Sequence, residues 1–414
     1  MTQVQKLFLA ILSASLKPEC QEQSKELSKL LEKTSISWQA LYQIAKEQAL
    51  SLLLYDYILT YSFEILTKEE QKKIQNQVMT AAVMYYHMVN FVFKVLSLAK
   101  QEGISCCILK GIGLSAYYPK EELRKTGDVD LYIPNLEEWE RFCKILKSQG
   151  FKQEKTIADH HISFFYIISG IRFELEVHKK PINRQENKEF NKEIDKIFAL
   201  FANKNYCNFS EIMIMNGTIP VLPIEENIFY LLLHMLQHFL SGGMGLRMLC
   251  DWVVIWRKKG QEPNFCLEKY LSFIRQSKIE GFHYMVTGLC ITFLGLSLQE
   301  VPWMEGHMPR KEVMDLFLND IFHGGEFGEK DTSRMLILLE KPRFFVYLKE
   351  FHRQMQLRFQ KAGKFPILWP FLWLASFVIF FYNNKFLRKT SLSQILKGTE
   401  ERSRLLEEIT LFKK

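Results

Sequence analysis

Two stretches of this chain place a charged side chain at every second residue. Asp128-Val129-Asp130-Leu131 alternates acid with apolar, and Arg172-Phe173-Glu174-Leu175-Glu176-Val177-His178 alternates in the same way. A period of two is that of a β-strand, whose successive side chains leave opposite faces. Each stretch is therefore expected to be a strand with one apolar face and one charged face. Phe173, Leu175 and Val177 form the buried side of the second, and Glu174, Glu176 and His178 share the other. A sheet of such strands has a core on one side, and the chain must cover that side with helices.

Helical periodicity fills most of what remains. Leu41, Ile44, Ala45 and Leu52 repeat at helical spacing. A long helix is expected over 68–101, with Met79, Val83, Tyr86, Val89, Phe93 and Leu96 on its apolar face and Gly103 ending it. Strands are expected near 105–109, 129–133, 162–168 and 171–178, the last two joined through Ser169-Gly170. Helices fall over 111–118 and 136–148. After Pro223 the pattern is helical again, over 225–240 and 246–256, with a break from Ser241 to Gly245. The order suggests an α+β protein with an N-terminal helical region over 1–102 and a sheet domain over 103–222. A helical domain over 223–320 and a C-terminal helical region over 321–414 follow.

The net charge of +8, modest for 414 residues, suits an anionic ligand such as a nucleotide. No dense basic stripe with interleaved aromatics signals nucleic acid. The eight cysteines include no CxxC pair, which argues against a zinc ribbon, and unpaired cysteines of this kind suggest a cytoplasmic protein. The apolar run 7–11 after Lys6 is too short for a signal peptide and reads as part of an amphipathic first helix. Residues 365–382 are charge-free, rich in Trp and Phe, and flanked by Lys361, Lys364 and Lys385. Pro366 and Pro370 shorten any continuous helix there below a membrane span. A buried helix is expected, with peripheral membrane contact as the alternative.

The chemistry centres on Asp128 and Asp130. Two carboxylates on one strand face repel each other unless a cation lies between them. Hard oxygen ligands suit Mg²⁺ (or Mn²⁺), which leaves room for substrate phosphates. Glu176 is the candidate third carboxylate, for a second metal or for the attacking group. Lys110-Gly111 sits at a strand-to-helix junction, where Gly lets a phosphate approach the backbone and Lys balances its charge. Arg124 reads as a further phosphate contact or as a surface charge. His234 and His238, four apart, share a helix face and serve packing or a cleft wall. Arg247 and Asp251 have the spacing of a same-helix pair, and one of His160 and His161 is a candidate to face the site.

These residues also occur in a familiar order. Leu109-Lys110-Gly111 leads to Tyr118-Pro119, then Leu123-Arg124, then Gly127-Asp128-Val129-Asp130-Leu131. Glu176-Val177-His178, His234 with His238, and Leu246-Arg247-Met248-Leu249-Cys250-Asp251 follow. The set resembles the uncharacterised bacterial nucleotidyltransferase family of the DNA polymerase β-like superfamily, over most of the chain. That resemblance implies a polymerase β-like nucleotidyltransferase sheet domain flanked by N- and C-terminal helical domains. It implies Asp128, Asp130 and Glu176 as catalytic metal ligands, and Lys110, Gly111 and Arg124 on the nucleotide phosphates. His178, His234 and His238 would line the cleft. The partners it implies are an NTP and an acceptor hydroxyl. Two positions depart from the superfamily pattern: Ile112 follows Gly111 where Ser or Gly is usual, and Glu176 stands where Asp is usual. The rival readings are a degenerate nucleotide- or partner-binding module without turnover, and a D-x-D glycosyltransferase. The latter would require a Rossmann-like domain ahead of Asp128.

Overall fold

The computed structural model of the chain describes residues 1–17, 26–27, 29, 31, 37–157, 159–185, 187–203, 208–241, 243–259, 262, 264–326, 344–359, 362–382, 403–409 and 411. Cys20, Cys207, Lys361 and Lys385 lie outside the described residues. In chain order the elements begin with α1 (Gln3–Ser15), α2 (Trp38–Glu47), α3 (Ser51–Tyr61) and α4 (Lys68–Gln101). The sheet region follows: β1 (Cys107–Ile108), α5 (Ile112–Ser115), β2 (Asp128–Tyr132), α6 (Leu136–Ser148), β3 (Lys152–Ile157), β4 (His161–Ile168), β5 (Ile171–His178), α7 (Lys188–Phe198), β6 (Ser210–Ile214) and β7 (Gly217–Val221). Helices complete it: α8 (Ile224–Ser241), α9 (Leu246–Lys259), α10 (Leu267–Ser277), α11 (Glu280–Leu294), α12 (Lys311–Gly324), α13 (Phe344–Arg358) and α14 (Trp369–Tyr382). The α+β expectation holds.

The described strands form one seven-stranded sheet in the order β3-β4-β5-β2-β1-β7-β6. β4 and β5 make the antiparallel hairpin expected through Ser169-Gly170. β2 lies parallel to β5, and β1 antiparallel to β2. The apolar side of the alternation is buried as its period requires: Val129, Leu131, Phe173, Leu175 and Val177 belong to one core cluster. The last turns of α4 and the Trp139, Phe142 and Leu146 face of α6 cover it. The rings of Phe91 and Phe173 stack with centroids 4.9 Å apart, and Trp139 Nε1 donates to the Val177 carbonyl at 2.9 Å. α4 starts where Thr67 and Glu70 form a reciprocal capping box.

Several expectations need correction. The long helix spans its expected range, and of its expected apolar face Val89 is buried while Phe93 and Leu96 pack against the core; Met79, Val83 and Tyr86 are exposed, and Tyr85, Met88, Val92, Val95 and Ala99 complete the buried face. Only its C-terminal half has the sheet beneath it, so the apolar residues of the first half have nothing comparable to cover. The helix expected over 111–118 is a single turn, Ile112–Ser115. β3, β6 and β7 extend the sheet beyond the strands anticipated. Residues 365–382 form a helix that is largely exposed rather than buried.

The chain divides into two compact units. One takes residues 1–237 and 246–308, and holds the sheet. The other takes 238–245 and 309–411. Within the second, the rings of Phe239 and Phe317 stack at 4.8 Å.

Candidate active site

Pairing of β2 with β5 sets the frame of the site. Asp128 lies beside Glu174, Asp130 beside Glu176, and Tyr132 beside His178. Neighbours in register on adjacent strands point the same way, so Asp130 and Glu176 share the charged face. His161 lies beside His178, and Ser163 beside Glu176, on the other flank of β5. Glu174 is turned to solvent and paired with Arg172 at 3.2 Å.

Lys110 reaches this face from the turn after β1. Its ammonium is 3.1 Å from Asp130 Oδ1 and 3.7 Å from Asp128 Oδ2. The turn is held to β2 by the Leu109 N–H, which donates to the Asp130 carbonyl at 3.0 Å. Gly111 follows with φ +61°, and a Cβ there would lie 3.2 Å from the Asp128 carbonyl oxygen. Glycine is thus required twice over, by the backbone conformation and by the approach of the strand. The single turn α5 carries little macrodipole, so the expected helix N-terminal contribution is small.

His178 Nε2 lies 3.0 Å from Asp130 Oδ1 and 3.3 Å from Glu176 Oε2. Two carboxylates only accept, so this nitrogen carries the hydrogen. His161 Nε2 is 3.5 Å from Glu176 Oε1, and His161 Nδ1 is 3.0 Å from His160 Nε2. Burial alone would raise the pKa of Asp130; the Lys110 charge and the His178 hydrogen bond outweigh it and hold the carboxyl below the usual range. Glu176 is likewise depressed, against burial, chiefly by His178. His178 is raised, since its bonds to Asp130 and Glu176 outweigh the burial that opposes its charge. His160 goes the other way: burial, then the neighbouring His178 and His161, push it down to about 3. The result is a compact array of fixed acids and imidazoles.

A divalent metal fits this donor set. Asp130 is fully buried, and its Oδ2 has no hydrogen-bond partner. Asp130, Glu176 and His178 each offer a ligand atom, all within 4.8 Å of one another. His160, His161 and His178 form a second such group among the described residues. His160 and His161 were legible only as histidines preceding a strand, and the β4–β5 register is what brings them to Glu176 and His178.

Arg124 is not a surface charge. Its guanidinium is buried and forked onto Asp251, with Nε 2.8 Å from Oδ1 and an NH2 nitrogen 2.9 Å from Oδ2. Tyr118 donates its hydroxyl to Asp251 Oδ1 at 2.8 Å. Asp251 therefore pairs with the loop before β2 rather than with Arg247 on its own helix. α8 supplies a residue that periodicity did not single out. Tyr230 is buried, and its hydroxyl is held protonated by burial and by the charges of Asp130, Glu176 and Asp128. Its ring stacks at 6.2 Å with that of His234, one turn along. The i, i+4 relation of Tyr230 to His234 was the available signal. His238 opens the second compact unit.

Neither a curated protein nor a solved structure matches the chain. A family model described as uncharacterised nucleotidyltransferase matches residues 34–295, more than half of the sequence. That span contains the sheet and each residue named above, and the chain belongs to this uncharacterised nucleotidyltransferase family.

Proposed function

We propose that the chain is a polymerase β-like enzyme that moves a nucleoside monophosphate from an NTP to an acceptor hydroxyl. The observation that carries this reading is the pairing of Asp130 with Glu176 across parallel strands, with Asp128 two residues along and Lys110 reaching both aspartates. Asp128, Asp130 and Glu176 would hold divalent metal, which when bound neutralises the triphosphate and the departing pyrophosphate. His178 stands among these carboxylates, and a carboxylate set suits Mg²⁺ or Mn²⁺.

In the proposed reaction the acceptor oxygen bonds to the α-phosphorus as the bond to the β-phosphate oxygen breaks. Glu176, kept ionised, takes the hydroxyl proton, and pyrophosphate leaves with the electron pair. Lys110 and the Gly111 backbone steady phosphate oxygens, and the protonated Tyr230 hydroxyl is a donor from the α8 side.

Incubation with each α-labelled NTP, Mn²⁺ or Mg²⁺, and a cell lysate tests the proposal. Label transfer with pyrophosphate release is expected. Asp128→Asn and Asp130→Asn should each reduce it by at least about 100-fold. Nucleotide binding without pyrophosphate from any NTP would instead support the degenerate module, for which Ile112 after Gly111 speaks. Among the described residues, helices and a two-residue strand precede β2, which speaks against the nucleotide domain that a D-x-D glycosyltransferase needs.

A further inference from the structure

α14 is built inside out. In a helix that packs on a protein core, large apolar side chains turn inward and small polar ones outward. Here Phe371, Leu374 and Val378, spaced i, i+3 and i+7 on one face, are 72%, 64% and 57% exposed, while Ser376 is buried. Ile367, in the turn ahead of the helix, is 84% exposed. The indole N–H groups of Trp369 and Trp373 are satisfied within the same segment, by the Gly363 carbonyl and His352 Nδ1.

Charge adds an independent observation. Residues 351–399 contain eight Lys and Arg and no Asp or Glu. The formal net charge of the whole chain is +8, so the remaining residues are balanced. The excess positive charge therefore flanks, in sequence, a helix that presents large apolar side chains outward.

From these two facts we infer that α14 docks on an anionic lipid surface, lying in the interface with Phe371, Leu374 and Val378 among the acyl chains. Such a surface offers apolar depth and negative headgroups together. A nucleic acid matches the charge but has no counterpart for exposed Leu and Val. A second copy of the chain matches the apolar face but brings like charge against like. The 14 described helical residues rise about 21 Å against a hydrocarbon core of about 30 Å, a length that suits a helix lying in the interface. Trp and Tyr settle at the headgroup boundary, and α14 carries Trp369, Trp373 and Tyr382.

The test is sedimentation of the full chain with vesicles of phosphatidylcholine containing about one third phosphatidylglycerol. Binding is expected to the anionic vesicles, to be weak on phosphatidylcholine alone, and to fall with added salt. Phe371→Ser with Leu374→Ser should weaken it by about tenfold or more, with an unchanged thermal melt because both side chains are exposed. Brominated lipid should quench tryptophan fluorescence, and Trp369→Phe with Trp373→Phe should remove that quenching. The inference is overturned if the chain stays in the supernatant with anionic vesicles, or if the serine variant binds as well as the parent. It is equally overturned if the serine variant only converts an oligomer to a monomer, which would make α14 a contact between copies.

Discussion

Asp251 touches no candidate ligand, yet it fixes the loop that carries the site. It is reached by Arg124 from 127 positions earlier and by Tyr118 from the segment after the Lys110 turn. Removing one member of such a buried pair leaves the other charge without compensation. Asp251→Ala is expected to lower stability by about 3–5 kcal/mol, read from urea denaturation. The sequence offered Arg247 as the partner because spacing within a helix can be counted, whereas contact across 127 residues cannot. Asp128, Asp130 and Glu176 were legible for the opposite reason: alternation assigns a face before any pairing is known. Lys110 leads to a second prediction. It cannot meet a phosphate while bound to Asp130, so a cation taking its place there releases it toward the nucleotide. Metal and nucleotide should therefore bind cooperatively and to the same degree in either order. Calorimetric titration of each in the presence of the other measures this coupling, which Lys110→Met should reduce.

Among the elements, β1, β2 and β5 determine whether the site exists. Gly111 lets the turn after β1 pass against the backbone of β2, with φ +61° and a space that a methyl group would fill to 3.2 Å from Asp128. Gly111→Ala should cost about 1–3 kcal/mol and displace Lys110 from the aspartates. A lowered melting temperature together with weakened nucleotide affinity would show both effects. The hairpin of β4 and β5 was readable from its period and its Ser169-Gly170 turn. β3 was not, because Lys152, Gln153, Glu154 and Lys155 carry no apolar alternation. The β6–β7 hairpin has Asn216-Gly217 nearby, a pair that suits tight turns, but its turn residues are Met215 and Asn216, with φ +50° at Met215, and Gly217 already pairs with Ile214. Helix periodicity located α4 and, in Val89, Phe93 and Leu96, part of its packed face, but it carried that face on into Met79, Val83 and Tyr86, since apolar spacing reports a preference for burial and not which turns find a sheet.

At the scale of the whole molecule the chain crosses between two compact units, since residues 238–245 join 309–411 rather than their sequence neighbours. No local pattern encodes such an exchange, so it was not legible. Units with their own contacts should unfold separately. Calorimetry is expected to resolve two transitions, with Asp251→Ala lowering only the one that contains the sheet. The concentration of the excess charge beside α14 has a kinetic consequence. A body that is neutral over most of its sequence and positive around one apolar helix is turned by a distant negative surface before it arrives. Capture then depends on charge and release on the apolar face. In stopped-flow measurements with anionic vesicles, ionic strength should slow association, whereas Phe371→Ser with Leu374→Ser should leave that rate and shorten the residence time.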